Sequence, residues 1–462
     1  GAVIAGSGSV DFGGYASGPL FVPDEGGSTT VRLECGDGIA LNPASATSFH
    51  VVLPAGTYAS VGVRARTSDG RSYSYTKSPE GGVVIERSTV THFKPSEFFD
   101  GIEVENLSGE LADRLAGTDA SSVTALRITG TLNATDFAYI RENLTALELL
   151  DLSGTEMTVF PNRALAFYDD ANTTLKEVIL PEGLTTIEDA AFANCTALEK
   201  LDVPSSVSEL GRWILENTAV ETFTIPVGVS EIPASCFYGS AITAMVVPST
   251  VTSFASIYDD DAEGDCGWTF VACMQLQSLV IEGPVTTIPC DFCWSGQYDA
   301  QDNVVLTNLT SLTLPDEVQE IGAGAFNGCP ITALTLPAQL REIGDEAFAY
   351  CKLTELVLPE GFTTIRGGAF RNAPLETLDL PSTIEDLDTG RHIYLFNGAG
   401  LQTVICRKST PPALSQLYSP FCDVAHFTFV NETCVLKVPA ASVEDYKASD
   451  WAKYFKIIQA IE

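Results

Sequence analysis

Three kinds of residue in this chain could do chemistry. The first is an acidic run, Asp259-Asp260-Asp261-Ala262-Glu263-Gly264-Asp265. Its composition resembles a calcium loop, but the bidentate Glu that an EF-hand needs six residues after its Gly is missing. A solvated acidic loop is the expected reading. The second is Cys290-x-x-Cys293, one of several cysteine pairs within reach of each other in sequence. It does not sit in the βα setting of a thioredoxin-like redox site, and no second CxxC completes a four-cysteine zinc site. The third is a set of aromatic rings close to the acidic run: Tyr258, Trp268, Trp294 and Tyr298. Such rings can stack on a sugar or anchor a protein partner.

Enzymatic signatures are absent. His50, His92, His392 and His426 lie in different segments with no metal-ligand spacing. No GxSxG elbow, P-loop or GxGxxG opening a helix occurs. No catalytic residue, metal site or cofactor is therefore expected. The net charge of −35 would repel a phosphate backbone and an anionic lipid surface, so no nucleic-acid partner is expected. No apolar run reaches 18 residues, so no transmembrane helix is expected.

The elements that must position these residues are repeats. Residues 309–374 read LTSLTLPDEVQEIGAGAFNGCP, ITALTLPAQLREIGDEAFAYCK and LTELVLPEGFTTIRGGAFRNAP, three copies of one 22-residue pattern. A fixed period of this size is the signature of a solenoid. Apolar residues at offsets 0, 3 and 5 (Leu309, Leu312, Leu314) are followed by Pro at offset 6 (Pro315, Pro337, Pro359). Then come a pair such as Val318 and Ile321 and an Ala-Phe (Phe326, Phe348, Phe370). Offsets 3 and 5 share one face of a short strand, and Pro ends it. The remainder should return through a short helical or 3₁₀ segment that carries the Phe inward. One unit cannot bury its own apolar face; a stack can.

Units begin at Leu147, Leu175, Leu198, Val220, Ile242, Leu276, Leu309, Ile331, Leu353, Leu375 and Leu401. Two adjacent units, from Ile242 and Leu276, are longer than the rest by about eleven residues. Their inserts, about 255–269 and 294–306, hold the rings and the acidic run. The candidate binding residues are therefore Tyr258, Trp268, Trp294 and Tyr298 with Asp259, Asp260 and Asp261. The strand face between buried offsets is by contrast a neutral Thr- and Val-rich strip without aromatic anchors.

Cys195, Cys273, Cys329 and Cys351 each follow the inward Phe by three residues. This column is expected to be reduced and buried, each thiol packing as a small hydrophobe. A local disulfide among Cys266, Cys273, Cys290 and Cys293 is the alternative for that stretch.

The expected organisation is a small β-sandwich at 1–98, a helical N-terminal cap and first repeat at 99–146, repeats at 147–432 and a C-terminal cap at 433–462. Asp69-Gly70 between alternating runs signals a hairpin in the first part. Near 134–141 a helix should begin at an N-cap Thr135 or Asp136. Tyr446, Trp451 and Phe455 mark the closing cap.

The pattern Lxx(L/V)x(L/V)Pxx(V/L)xxIxxxAFxxC resembles the BspA-like leucine-rich repeat family of bacterial surface proteins. The resemblance covers roughly Leu107 to Glu462 and implies an α/β solenoid: a right-handed superhelix with one parallel strand per repeat. LPAGTYASVGVRARTSDG and RSTVTHFKPSEF resemble fimbrillin-like sandwiches, more weakly. What the resemblance implies is a secreted, cell-surface, non-catalytic protein, monomeric and lipid-anchored to the outer membrane. Its partner would be a host or bacterial surface protein. A glycan for an uptake system, or a spacer role on the envelope, are the competing readings. The start GAVIAGSGSVDF is read as a mature form whose secretion signal has been removed.

Overall fold

The computed structural model describes residues 101–166, 170–259, 264–297, 299–300, 304–387, 400–412, 414 and 433–462. Short strands at 3–4, 39–40, 56–58, 61–66, 72–77, 83–85, 422–423 and 428–429 are described besides. The four histidines and the packing of the first hundred residues into a sandwich lie outside this description. Within that part Val61–Arg66 pairs antiparallel with Ser72–Lys77, the strand pairing expected of the hairpin the sequence signals; Asp69 and Gly70 themselves lie outside the described residues. Gly56–Tyr58 pairs antiparallel with Val83–Ile85.

In the repeats the strand at offsets 2–4 forms as its spacing demands. In Ser311–Thr313 the inward Leu312 is buried while Ser311 and Thr313 face solvent. Corresponding strands pair in parallel and in register, as in Ser278 with Ser311 and Glu355 with Thr377. They build ladders of five, three and five strands in chain order, from Ile102–Asn106 to Ile457–Ala460. The stack is thus one strand longer at each end than the spacing implies. Residues 220–225 keep the spacing without a ladder. Phe223 fills the inward offset-3 place there, against Phe237 at 5.3 Å. At 331–336 only the bridge between Ser311 and Ala333 remains.

The repeats from Leu147 to Leu375 each also contribute a second strand of two residues, at the xxIle element. Glu320–Ile321, Glu342–Ile343, Thr364–Ile365 and Asp386–Leu387 pair in parallel, one after the next. The units therefore close through two parallel sheets rather than one sheet and a helix. Among the described residues α-helix is confined to Leu111–Arg114, Ala134–Asn143 and Val443–Lys447.

The segment carrying Phe is a turn with two left-handed residues four positions apart. In successive units these are Gly324 and Gly328, Glu346 and Tyr350, and Gly368 and Asn372. Left-handed backbone costs a side-chain-bearing residue about 1–2 kcal/mol. Hydrogen bonds to the next turn offset it: Gly324 N–H to Asp345 O at 2.7 Å, Phe326 to Ala347 at 2.8 Å and Gly328 to Ala349 at 2.9 Å. Those bonds take the place of a helix's i to i+4 ladder, which is why the expected helical segment does not form. Inside the turns Phe326, Phe348 and Phe370 stack at 5.4 and 5.6 Å, all fully buried.

The cysteine column is buried and free: Cys195, Cys273, Cys329 and Cys351, with Cys236, Cys293, Cys406 and Cys434. Two of these thiols are donors rather than mere filler. Cys273 donates to Phe237 O and Cys329 to Cys293 O, each at 2.9 Å. Burial pushes the Cys195 thiol up to about 12.

Both ends are covered. The helix Ala134–Asn143 is capped by Asn133, not by Thr135 or Asp136; Asp136 is the third residue of a capping box. Its buried carboxylate also accepts from Gly109 N–H at 2.7 Å and Leu111 N–H at 3.0 Å, tying the two N-terminal helices together. At the other end Trp451 and Tyr446 are buried, with Trp451 Nε1 donating to Pro412 O and Tyr446 Oη to Lys408 O, both at 2.9 Å.

Candidate functional site

The first long unit grows between its second-sheet strand, Ser253–Phe254, and its turn. The insert is a hairpin in which Ile257–Asp259 pairs antiparallel with Gly264–Cys266. Tyr258 and Asp259 lie on the outgoing strand, and their side chains fall outside the described residues. Asp260, Asp261 and Tyr298 fall outside them altogether.

The returning strand ends at Cys266, which is disulfide-bonded to Cys290 on the next turn. Of the four cysteines considered for a local bridge, these two form it, while Cys273 and Cys293 stay reduced. The Asp291 carboxylate lies 3.7 Å from the Cys266 sulfur, and Cys266, Cys290 and Asp291 place their donor atoms within 4.8 Å of one another. With the two sulfurs bonded to each other, neither is available as a thiolate ligand, so the cluster reads as a staple rather than a metal centre.

Trp268 belongs to the turn itself and not to the insert. With φ of 46° it holds the first left-handed position, the place of Ser235 and Gly324 in other units. Trp294 lies on the following turn, where its carbonyl accepts from Ala272 N–H at 2.7 Å. Both indoles are half-buried. The second insert leaves the stack just beyond Trp294 and is closed by Val305 N–H donating to Gln297 O at 3.0 Å. The first insert therefore enters its turn from the second-sheet side and the second leaves the next turn toward the first-sheet strand Ser311–Thr313, so the two emerge from neighbouring turns at opposite ends of the turn segment.

Sequence reasoning passed over two further rings on this turn edge. The Arg212 guanidinium lies 4.7 Å above Trp213 and pairs with Asp189 at 3.2 Å. Arg371 lies 5.8 Å above Tyr350 and pairs with Glu346 at 3.2 Å. The unit containing Trp213 lacks the Ala-Phe signal, and Tyr350 looks like one more turn residue. Only the left-handed positions, four apart, reveal that both belong to the edge that carries Trp268.

The open face of the first sheet is Thr- and Val-bearing, as expected. Val246 and Val357 are about half exposed, at 53% and 55%. Cross-strand ion pairs occupy parts of it, such as Arg127 with Asp151 at 2.6 Å and Arg407 with Asp379 at 2.6 Å.

The model of the BspA-type leucine-rich repeat region matches residues 164–292 and 304–410 in six copies, just over half of the chain. A search of the curated proteins finds no match. Among solved structures, the chain is similar to a leucine-rich repeat protein from Bacteroides ovatus. Identity is 16% and the TM-score 0.48, covering 67% of this chain and 71% of that one. It is also similar to a leucine-rich cell surface protein from Faecalibacterium prausnitzii, at 17% identity and a TM-score of 0.25, covering 65% and 81%. The pneumococcal vaccine antigen PcpA matches at 16% identity and a TM-score of 0.34, covering 87% and 99%. Among the described residues no helix is long and apolar enough to cross a membrane.

Proposed function

The chain belongs to the BspA-type leucine-rich repeat family, and from that premise we propose that it is a non-catalytic recognition protein of the bacterial cell surface. Its ligand is a macromolecule, a host or neighbouring-cell protein, held at the two turns from which the inserts emerge. The carrying observation is that two adjacent turns both lengthen, and one insert is covalently stapled to the other's turn through Cys266 and Cys290. A disulfide that orders a surface hairpin lowers the entropy lost when that hairpin binds. Loops held on a rigid scaffold are where binding groups concentrate.

The two rings described here, Trp268 and Trp294, support the reading, with Tyr258, Tyr298 and Asp259–Asp261 completing the candidate set. The proposed division of the chain is a β-sandwich at 1–98, an N-terminal cap at 99–146, repeats at 147–432 and a closing cap at 433–462. Glycan capture is the second reading, favoured by two half-buried indoles on neighbouring turns. Replacing both inserts with the short linkers of the units at Leu309 and Ile331, and Cys290 with Ala, tests the site. Partner binding should disappear while the solenoid still folds; a trimmed chain that binds like the parent overturns the assignment. An array carrying both glycans and surface proteins separates the two readings.

A further inference from the structure

We propose that the strand Ile457–Ala460 is a self-association edge, and that its occupant is the same strand of a second copy of this chain, laid antiparallel across a two-fold axis. The inference is independent of recognition at the inserts, and it departs from the monomer that the family resemblance implies.

Ile457–Ala460 ends the last five-strand ladder of the first sheet. It pairs in parallel with Val435–Val438 on one side, and no described strand lies on the other. Ile461 N–H donates to Val438 O at 2.8 Å. Backbone groups alternate in direction along a strand, so residues 457, 459 and 461 direct theirs into the ladder. The N–H and C=O of Ile458 and Ala460 therefore point away from it.

The inner face is incomplete at the same place. Leu436 and Val438 are fully buried, whereas their in-register partners Ile458 and Ala460 are half-buried. On the open face Ile457 is 42% exposed. Sheet edges are ordinarily guarded by a charge, a proline or a bulge. The strand Ile102–Asn106 at the other end of the stack carries Glu103 and Glu105, but from Ile457 to Ile461 there is neither charge nor proline.

This edge is complementary to itself. An antiparallel pair centred on Gln459 sets Ile458 opposite Ala460 of the second copy, so that the outward backbone groups of each strand meet those of the other. The same register sets Ile457 opposite Ile461 and Lys456 opposite Glu462. Lys456 and Glu462 are both exposed. Centring the pair on residue 458 or 460 would match the backbone as well but would part Lys456 from Glu462. Apolar and opposite-charge cross-strand pairs stabilise a sheet, so the register centred on Gln459 is the favoured one. Such an isologous contact closes at two copies instead of growing into a fibre.

The test is sedimentation velocity of the intact chain over a concentration series. So short an edge makes a small interface and a weak dimer, so the mass is expected to rise from monomer toward dimer between about 1 and 200 μM. Hydrogen exchange, which needs no variant, should show residues 457–462 gaining protection over the same range. Ala460→Pro removes an outward N–H while leaving the ladder to Val435–Val438 in place, and should abolish the dimer. Lys456→Glu and Glu462→Lys should each weaken it about tenfold. The double variant should restore it, because the pair re-forms with its charges exchanged. A chain that stays monomeric throughout, a dimer that survives Ala460→Pro, protection confined to other residues, or a double variant that associates no better than the single ones overturns the inference.

Discussion

Cys266 and Cys290 are 24 residues apart in sequence and share one disulfide, which fastens the end of a surface hairpin to the next turn of the stack. Replacing both by Ser is expected to lower stability by about 2–4 kcal/mol, since the bridge restricts the unfolded chain. The amides of 257–266 should lose protection first. Urea unfolding combined with hydrogen exchange checks both points. Unchanged protection in the hairpin would mean that packing, not the bridge, holds it.

The free thiols make the stack sensitive to alkali. Burial raises Cys273 and Cys351 from the ordinary 9.0 to about 11, and Cys195 to about 12. The unfolded chain gives up these protons near the ordinary value while the folded chain keeps them. Their contribution is complete below about pH 9 and is lost as pH rises through 11 and 12. Each thiol steepens the fall by up to about 1.4 kcal/mol per pH unit. Melting temperatures flat from pH 7 to 8.5 and dropping by pH 10 are expected. A profile flat through pH 10 would mean that the folded-state thiols ionise normally.

Cys329 separates packing from hydrogen bonding. Its thiol donates to Cys293 O at 2.9 Å. Cys329→Ala removes the donor and leaves a buried carbonyl unpaired, at a cost of about 1–3 kcal/mol. Cys329→Ser keeps a donor and should cost less. If Ser is the worse of the two, the column is held by apolar packing alone.

Phe348 lies fully buried between Phe326 and Phe370. Phe348→Ala opens a cavity between two turns and should cost about 3–5 kcal/mol. Calorimetry measures it; a cost below about 1 kcal/mol would mean that the neighbouring turns collapse into the space.

The repeat itself was legible because its apolar offsets are fixed by strand geometry: Leu312 and Leu314 must share a face, and Pro315 must end the strand. The second strand at Glu320–Ile321 was not, because two residues carry no periodicity. Ala-Phe suits a helix at 324–328, yet hydrogen bonds to the next turn outweigh that local preference. At the site, composition picked out Trp268 and Trp294 but set both in the inserts, whereas both lie on turns. Their places in the turns, and the kinship of Trp268 with Trp213, depend on backbone conformation and on pairing between turns, neither of which spacing reveals. The partner of Cys290 was likewise one of several until the hairpin brought Cys266 beside it.

We propose that recognition takes place at the insert-bearing turns and not on the open face of the first sheet. The most direct measurement compares three chains on one array of surface proteins and glycans: the parent, the insert-trimmed chain and a sheet-face variant, Val246→Lys with Val357→Lys. Trimming is expected to abolish the parent's binding while the sheet-face variant retains it. Loss of binding in the sheet-face variant alone, with the trimmed chain unaffected, would contradict it.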